Sequence, residues 1–132
     1  MKLSPNPKPF RYSLGERGET AACGFLKEKG YKILEKNYKC KLGEIDVIAR
    51  RSGRLAFVEI KTRTHTGRGT PQEAVDLRKQ EKILKLAQWY MKEKKLGEAP
   101  VAFDVVAVLW EKGGAPQMRL ITDAFEKEDK AY

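Results

Sequence analysis

The chain has a single histidine, His65, and two cysteines, Cys23 and Cys40. One histidine excludes a histidine-based metal cluster. The cysteines lie far apart and form no CxxC pair, so reduced thiols are the default reading. No apolar run is long enough to cross a bilayer. The opening MKLSPNPKPFRY lacks the apolar stretch of a signal peptide, so a cytoplasmic protein with no membrane partner is expected. Internal repeats, low-complexity segments and coiled-coil heptads are absent too. What is present is one domain's worth of chain, 132 residues at 41% hydrophobic content, enough for a single core.

Negative charge is the scarcer sign. Lys and Arg total 27 against 18 for Asp and Glu, a net charge of +9. A small protein this basic points to a polyanionic partner, of which nucleic acid is the commonest, or else to a generally basic surface. An anionic membrane surface fits less well, because no basic amphipathic helix stands apart from the core pattern.

The chain is organised around Gly43 to Arg63. Two β-prone runs, GEIDVIAR and LAFVEIKTR, flank Ser52-Gly53, a hairpin signal. Alternation puts Ile45, Val47 and Ala49 on one face of the first run, and Val58 and Ile60 on one face of the second. If Arg51 faces Arg54, then Asp46 faces Glu59 and Glu44 faces Lys61. Like charges directly opposed across strands destabilise the pair. A divalent cation, which takes carboxylate oxygens, supplies a reason to place them there. Lys61 shares a strand face with Glu59, so Asp46, Glu59 and Lys61 are expected to converge, with Glu44 at the rim. The competing reading is a solvated polar face on a half-exposed hairpin.

The rest of the chain supplies a frame. Residues 1–12, with three prolines, are expected to be a flexible tail. A helix should start near Ser13, where Ser13 and Glu16 form a capping box, and end near Gly30. Its apolar stripe is Gly18, Ala22, Phe25 and Leu26, with Ala21 beside it; Glu19 lies nearest its buried edge. A strand over Tyr31–Lys39 precedes the hairpin. The loop THTGRGTP (residues 64–71) follows; its His65 and Arg68 either meet phosphates or belong to a plain surface loop. A second helix runs from about Gln72 to Lys95 and stops at Gly97. Its stripe is Ile83, Leu84, Ala87, Tyr90 and Met91, with Gln80 at the centre and Asp76 close by. A glutamine there needs a hydrogen-bond partner, either backbone or a site. Strands over Val101–Trp110, with Asp104 inside, and Met118–Thr122 complete the domain, and residues 126–132 form a charged tail. The order is α-β-β-β-α-β-β, an α/β mixed sheet with helices on its apolar surfaces and a crossover between the third and fourth strands.

Helix-borne Glu19, then Asp46, then Glu59-Ile60-Lys61, then helix-borne Gln80 resembles the restriction-endonuclease-like PD-(D/E)xK superfamily. The order and spacing are similar to those of the archaeal Holliday-junction resolvases. More closely, GERGETAA, GEIDVIA, FVEIKTR, TPQEAV, RKQ and FDVV resemble the YraN family of small bacterial proteins, over roughly residues 13–125. Ile45 stands where the superfamily pattern has proline, and Ala102 where close relatives often carry arginine.

The resemblance implies a restriction-endonuclease-like mixed sheet in a single domain, residues 13–125. It implies an Mg²⁺-dependent endonuclease, with Mn²⁺ as a substitute, that hydrolyses phosphodiester bonds in DNA, branched or junction DNA included. Glu19, Asp46, Glu59 and the Ile60 carbonyl would hold the metal. Lys61 would be the active-site lysine, Gln80 the helix-borne polar residue, and Glu44 and Asp104 accessory. Arg51, Arg54, Arg63, Arg68 and Lys79 are the candidate DNA contacts. Resolving a junction takes two cuts, which implies a homodimer. The alternative is a non-catalytic nucleic-acid-binding or partner-binding module on the same fold.

Overall fold

Ser52 and Gly53 both adopt left-handed backbone, with φ of 51° and 76°. Two successive positive φ angles give a reversal whose twist matches that of paired strands. β2 (Gly43–Arg51) and β3 (Arg54–Arg63) leave this turn antiparallel, with Arg51 opposite Arg54 and Val47 opposite Val58. That is the register expected from the sequence. The structure, a computed structural model, describes residues 14–64, 75–110 and 114–125. The tails assigned to residues 1–12 and 126–132, the Ser13 cap, and His65 and Arg68 in the following loop lie outside the described residues.

The remaining elements are α1 (Leu14–Glu28), β1 (Lys32–Cys40), α2 (Leu77–Glu93), β4 (Val101–Leu109) and β5 (Gln117–Phe125). The five strands form one sheet in chain order, antiparallel throughout except for the parallel β3–β4 pair that α2 connects. The expected order α-β-β-β-α-β-β is therefore the observed one. Central β3 is buried from Leu55 to Ile60, the near-continuous apolar run of a strand covered on both faces.

Alternation on β3 divides the core in two. Leu55 and Phe57 pack with Ile83, Leu86, Ala87 and Tyr90 of α2. Ala56, Val58 and Ile60 pack with Ala22, Cys23 and Leu26 of α1. Each fully buried large aliphatic or aromatic side chain contributes about 1.5–3 kcal/mol. Among the described residues no helix is long and apolar enough to cross a membrane.

Several boundaries differ from expectation for local reasons. α1 ends as anticipated: Gly30 takes φ 94°, with Tyr31 N–H donating to the Leu26 carbonyl and Gly30 N–H to that of Lys27. α2 starts at Leu77 rather than Gln72, because Asp76 is its N-cap and accepts from the Lys79 amide at 2.9 Å. It ends before Gly97 because Lys95 adopts the left-handed conformation, and Leu96 N–H reaches the Met91 carbonyl. Leu86, outside the expected stripe, is fully buried. Ile45 departs from its expected face: it packs on the α2 side while Val47 and Ala49 pack on the α1 side. The alternation slips at Asp46, opposite left-handed Asn37 (φ 52°) on β1.

α1 meets β3 at Gly18, where an added Cβ would lie 2.0 Å from Thr62 Oγ1 and 2.9 Å from Thr62 Cβ. Any side chain there must displace Thr62 or α1. Gly18→Ala is expected to destabilise the protein by about 1–3 kcal/mol through overpacking, read as a lower midpoint in urea. Thr62→Ala should restore part of that loss in the double variant; purely additive losses would show that the two residues do not collide.

Candidate functional site

β2 and β3 pair regularly from the turn to Val47–Val58. One residue further, the backbone ladder gives way to a side chain. Asp46 Oδ2 accepts the Ile60 N–H at 2.8 Å. The expected direct facing of Asp46 and Glu59, and of Glu44 and Lys61, is thus replaced by a splayed mouth closed by the Asp46 carboxylate. Ile60 enters this site through its amide as well as its position between Glu59 and Lys61.

Glu59 is 5% exposed, and with Asp104 it is one of two buried charged residues among the described ones. Its Oε2 is 3.1 Å from Lys79 Nζ and 3.8 Å from Lys61 Nζ. A buried carboxylate needs such partners. Lys79, a candidate DNA contact in the sequence, is therefore held against the acidic site by the first turns of α2. Lys61 remains half-exposed at the open end of the hairpin, and Arg63 lies two residues beyond it, its carbonyl accepting from Trp110 N–H.

On the α1 side a cleft of about 400 Å³ is lined by Glu16, Glu19, Thr20, Cys23, Lys36, Asn37, Asp46 and Val47. With its amide nitrogen turned to the carboxylates, Asn37 donates to Glu44 Oε2 at 2.8 Å and to Glu19 Oε1 at 3.3 Å. The sequence reading missed Asn37. The signal was there: an asparagine inside a strand pattern is the residue type that tolerates left-handed backbone. Burial pushes the Cys23 thiol up, so it rests protonated.

The electrostatics are those of an under-neutralised acidic cluster. Burial, followed by the charge of Glu59, pushes the Asp46 carboxyl up to about 6, although the Ile60 N–H opposes the shift. Burial, then Asp46, raises Glu19, and Asn37 opposes it. Asp46 thus couples Glu19 and Glu44 on one side to Glu59 and Lys79 on the other. The donors are all oxygen, three carboxylates and the Ile60 carbonyl, which suits a hard divalent cation. Among the described residues, however, no three His, Cys, Asp or Glu side chains are already arranged as a ligand shell. Asp46 is turned to Ile60 and Glu59 to the two lysines. The donor set fits the metal in chemistry; these side-chain positions do not yet present it.

Other expected site residues have partners of their own. Gln80 spends its amide nitrogen on the Val75 carbonyl at 2.8 Å, the backbone alternative for a polar residue in an apolar stripe. Asp104, 3% exposed, accepts the Tyr31 hydroxyl at 2.6 Å and the Asp123 N–H at 2.8 Å. Burial and this bond hold the Tyr31 hydroxyl protonated. Arg51 donates to Tyr31 Oη at 3.2 Å and lies over its ring, while Arg54 pairs with Asp123 at 2.9 Å. These two arginines stand at the turn, the opposite end of the hairpin from Asp46, and Asp104 joins them in a structural network rather than in the cleft.

By its fold this is an α/β protein built on one open mixed sheet, with an acidic cleft where the central hairpin opens. Residues 18–108 match the model of the family described as Uncharacterised protein family UPF0102. The chain is 46% identical over 114 residues to the UPF0102 protein of Geotalea uraniireducens, an alignment covering 86% of this chain and 90% of that one. Against the UPF0102 protein of Acetivibrio thermocellus the identity is 47% over 130 residues, 95% of this chain and all of the other. The chain belongs to the UPF0102 family, the YraN family that its motifs resemble.

Two measurements probe these assignments. Asp46 binds its proton more tightly when folded, so between its ordinary value of 3.8 and about 6 the folded state carries the extra proton. Stability must then fall as pH rises through that window, and Glu19 adds in the same direction. Asp46→Asn, in EDTA, should flatten the fall and melt several degrees above wild type at pH 7; matching profiles for the two proteins would show that Asp46 carries no such burden. Asp104→Ala strips the Tyr31 hydroxyl and the Asp123 amide of their acceptor and should cost about 2–4 kcal/mol, with Asp104→Asn milder. A neutral Asp104→Ala would contradict the structural role.

Proposed function

We propose that this protein is a metal-dependent endonuclease that hydrolyses phosphodiester bonds in DNA, branched DNA included. The observation that carries the reading is the half-buried Asp46 carboxylate, raised by desolvation and then by the charge of Glu59, at the opening of a hairpin that also presents Lys61. Asp46, Glu59 and the Ile60 carbonyl would hold Mg²⁺, or Mn²⁺ in its place, with Glu19 contributing directly or through water. When bound, the ion supplies Lewis-acid charge to a phosphoryl oxygen. Lys61 would stabilise the negative charge that builds on the phosphoryl group as the nucleophile attacks. Lys79, at the mouth of the cluster beside Glu59, would lie within reach of the DNA backbone. Arg63, at the same end of β3, would hold phosphate beside the cleft. Two cuts in a junction would require two such sites, hence a homodimer.

One observation favours a second reading, a non-catalytic nucleic-acid-binding module. Lys79 already neutralises Glu59 at 3.1 Å, so the cluster does not need a metal at that carboxylate to persist.

Labelled linear, single-stranded, flap and four-way-junction DNA, incubated with Mg²⁺, Mn²⁺ or EDTA, separates the two. Metal-dependent cutting that Asp46→Asn and Lys61→Ala each reduce by about 10²-fold or more is the expected result. Intact DNA in every lane, with binding retained, would leave the module.

A further inference from the structure

α2 carries a line of cations that the acidic cluster does not use. Arg78, Lys82, Lys85, Trp89 and Lys92 recur at alternating helical spacings of four and three residues. At about 100° per residue they stay within about 40° of one line down the helix, and the line is about 21 Å long at 1.5 Å per residue. All five side chains are exposed. Among the described residues none of the four cations is ion-paired. Glu81 and Glu93 fall on either side, about 60° off the line, and Glu93 accepts the Tyr38 hydroxyl.

The β1–β2 turn flanks this line and fixes it at two points. Lys41 Nζ lies 5.3 Å from the ring centroid of Trp89, a residue that is 37% exposed. At Gly43, with φ 144°, an added Cβ would come within 2.8 Å of Lys82 Cε, so the lysine stem crosses the turn where only glycine leaves room. The next residue, Glu44, belongs to the acidic cluster, and Lys79, beside Arg78 in the chain, pairs with Glu59. The line therefore runs into the candidate site.

We propose that this face is a track for a single strand of nucleic acid leading to the acidic cluster at its Glu44 and Glu59 side. Arg78, Lys82, Lys85 and Lys92 hold successive phosphates, and Trp89 stacks on a base. The proposal deepens the nuclease reading and rests on it for what the strand reaches. The charge is complementary to a phosphodiester backbone. An exposed indole in a basic line offers the π-face that an unpaired base takes, whereas a duplex keeps its bases in their own stack. The turn arginines Arg51 and Arg54 are engaged by Tyr31 and Asp123, whereas the α2 line adjoins the acidic cluster through Lys79 and Glu59.

The test runs in EDTA, so that binding is read without cleavage. Trp110→Phe leaves Trp89 as the one tryptophan of the chain's two. Its emission is followed while oligo-thymidylate, a blunt duplex of the same length, or inorganic polyphosphate is added. Oligo-thymidylate should quench Trp89, and Trp89→Ala, in the wild-type background and followed by anisotropy of the labelled strand, should weaken binding about tenfold. Lys82→Gln with Lys85→Gln should reduce the salt slope by about 1.4, at about 0.7 per phosphate contact in a single strand. The duplex should bind more weakly and quench less. Unchanged emission with oligo-thymidylate, an unchanged slope in the double variant, or polyphosphate binding as tightly as oligo-thymidylate overturns the track. A protein that binds this way but cuts nothing with Mg²⁺ keeps the track and loses the nuclease. Full-rate cutting by the Lys82→Gln, Lys85→Gln variant keeps the nuclease and removes the track.

Discussion

The hydrogen bond from the Ile60 amide to the Asp46 carboxylate is the point on which this architecture turns. A strand amide normally finds a carbonyl on its neighbour. Here it finds a carboxylate, so β2 and β3 stop pairing as backbone and part. The parting lets Asp46 sit between two helices' worth of charge, with Glu19 on the α1 side and Glu59 on the α2 side. Repulsion between like charges one cross-strand spacing apart is about 1–3 kcal/mol in a partly solvated setting. The two apolar clusters that flank β3 far outweigh it, since a handful of buried side chains at about 1.5–3 kcal/mol each suffices. The fold thus tolerates a local electrostatic cost because the sheet around it is buried on both faces.

The hairpin was legible because two independent signals agreed. Ser52-Gly53 set the turn, and the apolar residues of both strands could be buried in only one register. Order and connectivity followed from the same patterns. The slip at Asp46 was not legible, because it is shared between strands: Asn37 turns left-handed on β1, and Ile45 consequently points to the α2 core instead of joining Val47. Alternation read along one strand cannot reveal a kink imposed by its neighbour. Lys95 hid the end of α2 in the same way, by adopting a conformation usually left to glycine. Asp104 was a candidate site residue only through the resemblance of its FDVV motif, and its partners Tyr31 and Asp123 come from other parts of the chain.

Two polar clusters therefore share one sheet and differ in completeness. Around Asp104 each oxygen has a donor, and the arginines at the turn close the network. Around Asp46 the eight oxygens of Glu19, Glu44, Asp46 and Glu59 face four donor groups among the described residues, Asn37, the Ile60 amide, Lys61 and Lys79, and burial raises both Asp46 and Glu19. A satisfied cluster holds a fold together; an under-satisfied one keeps affinity in reserve for something that arrives later. The distinction follows from counting donors against acceptors, and it separates the two ends of the hairpin more clearly than residue type does.

Asn37 has a further consequence, at the sheet's margin. β1 is an edge strand, and its ladder with β2 already shifts register between Ile33 and Glu35 before the chain turns left-handed at Asn37. β5, the other edge, contains left-handed Asp123 and its own register shift against β4. An approaching strand would find neither border straight enough to extend, and on β1 it would also meet Lys32, Lys36 and Lys39. The kinks that shape the interior thus also terminate the sheet at five strands, protecting a β-rich protein from growing into fibrils through its own borders.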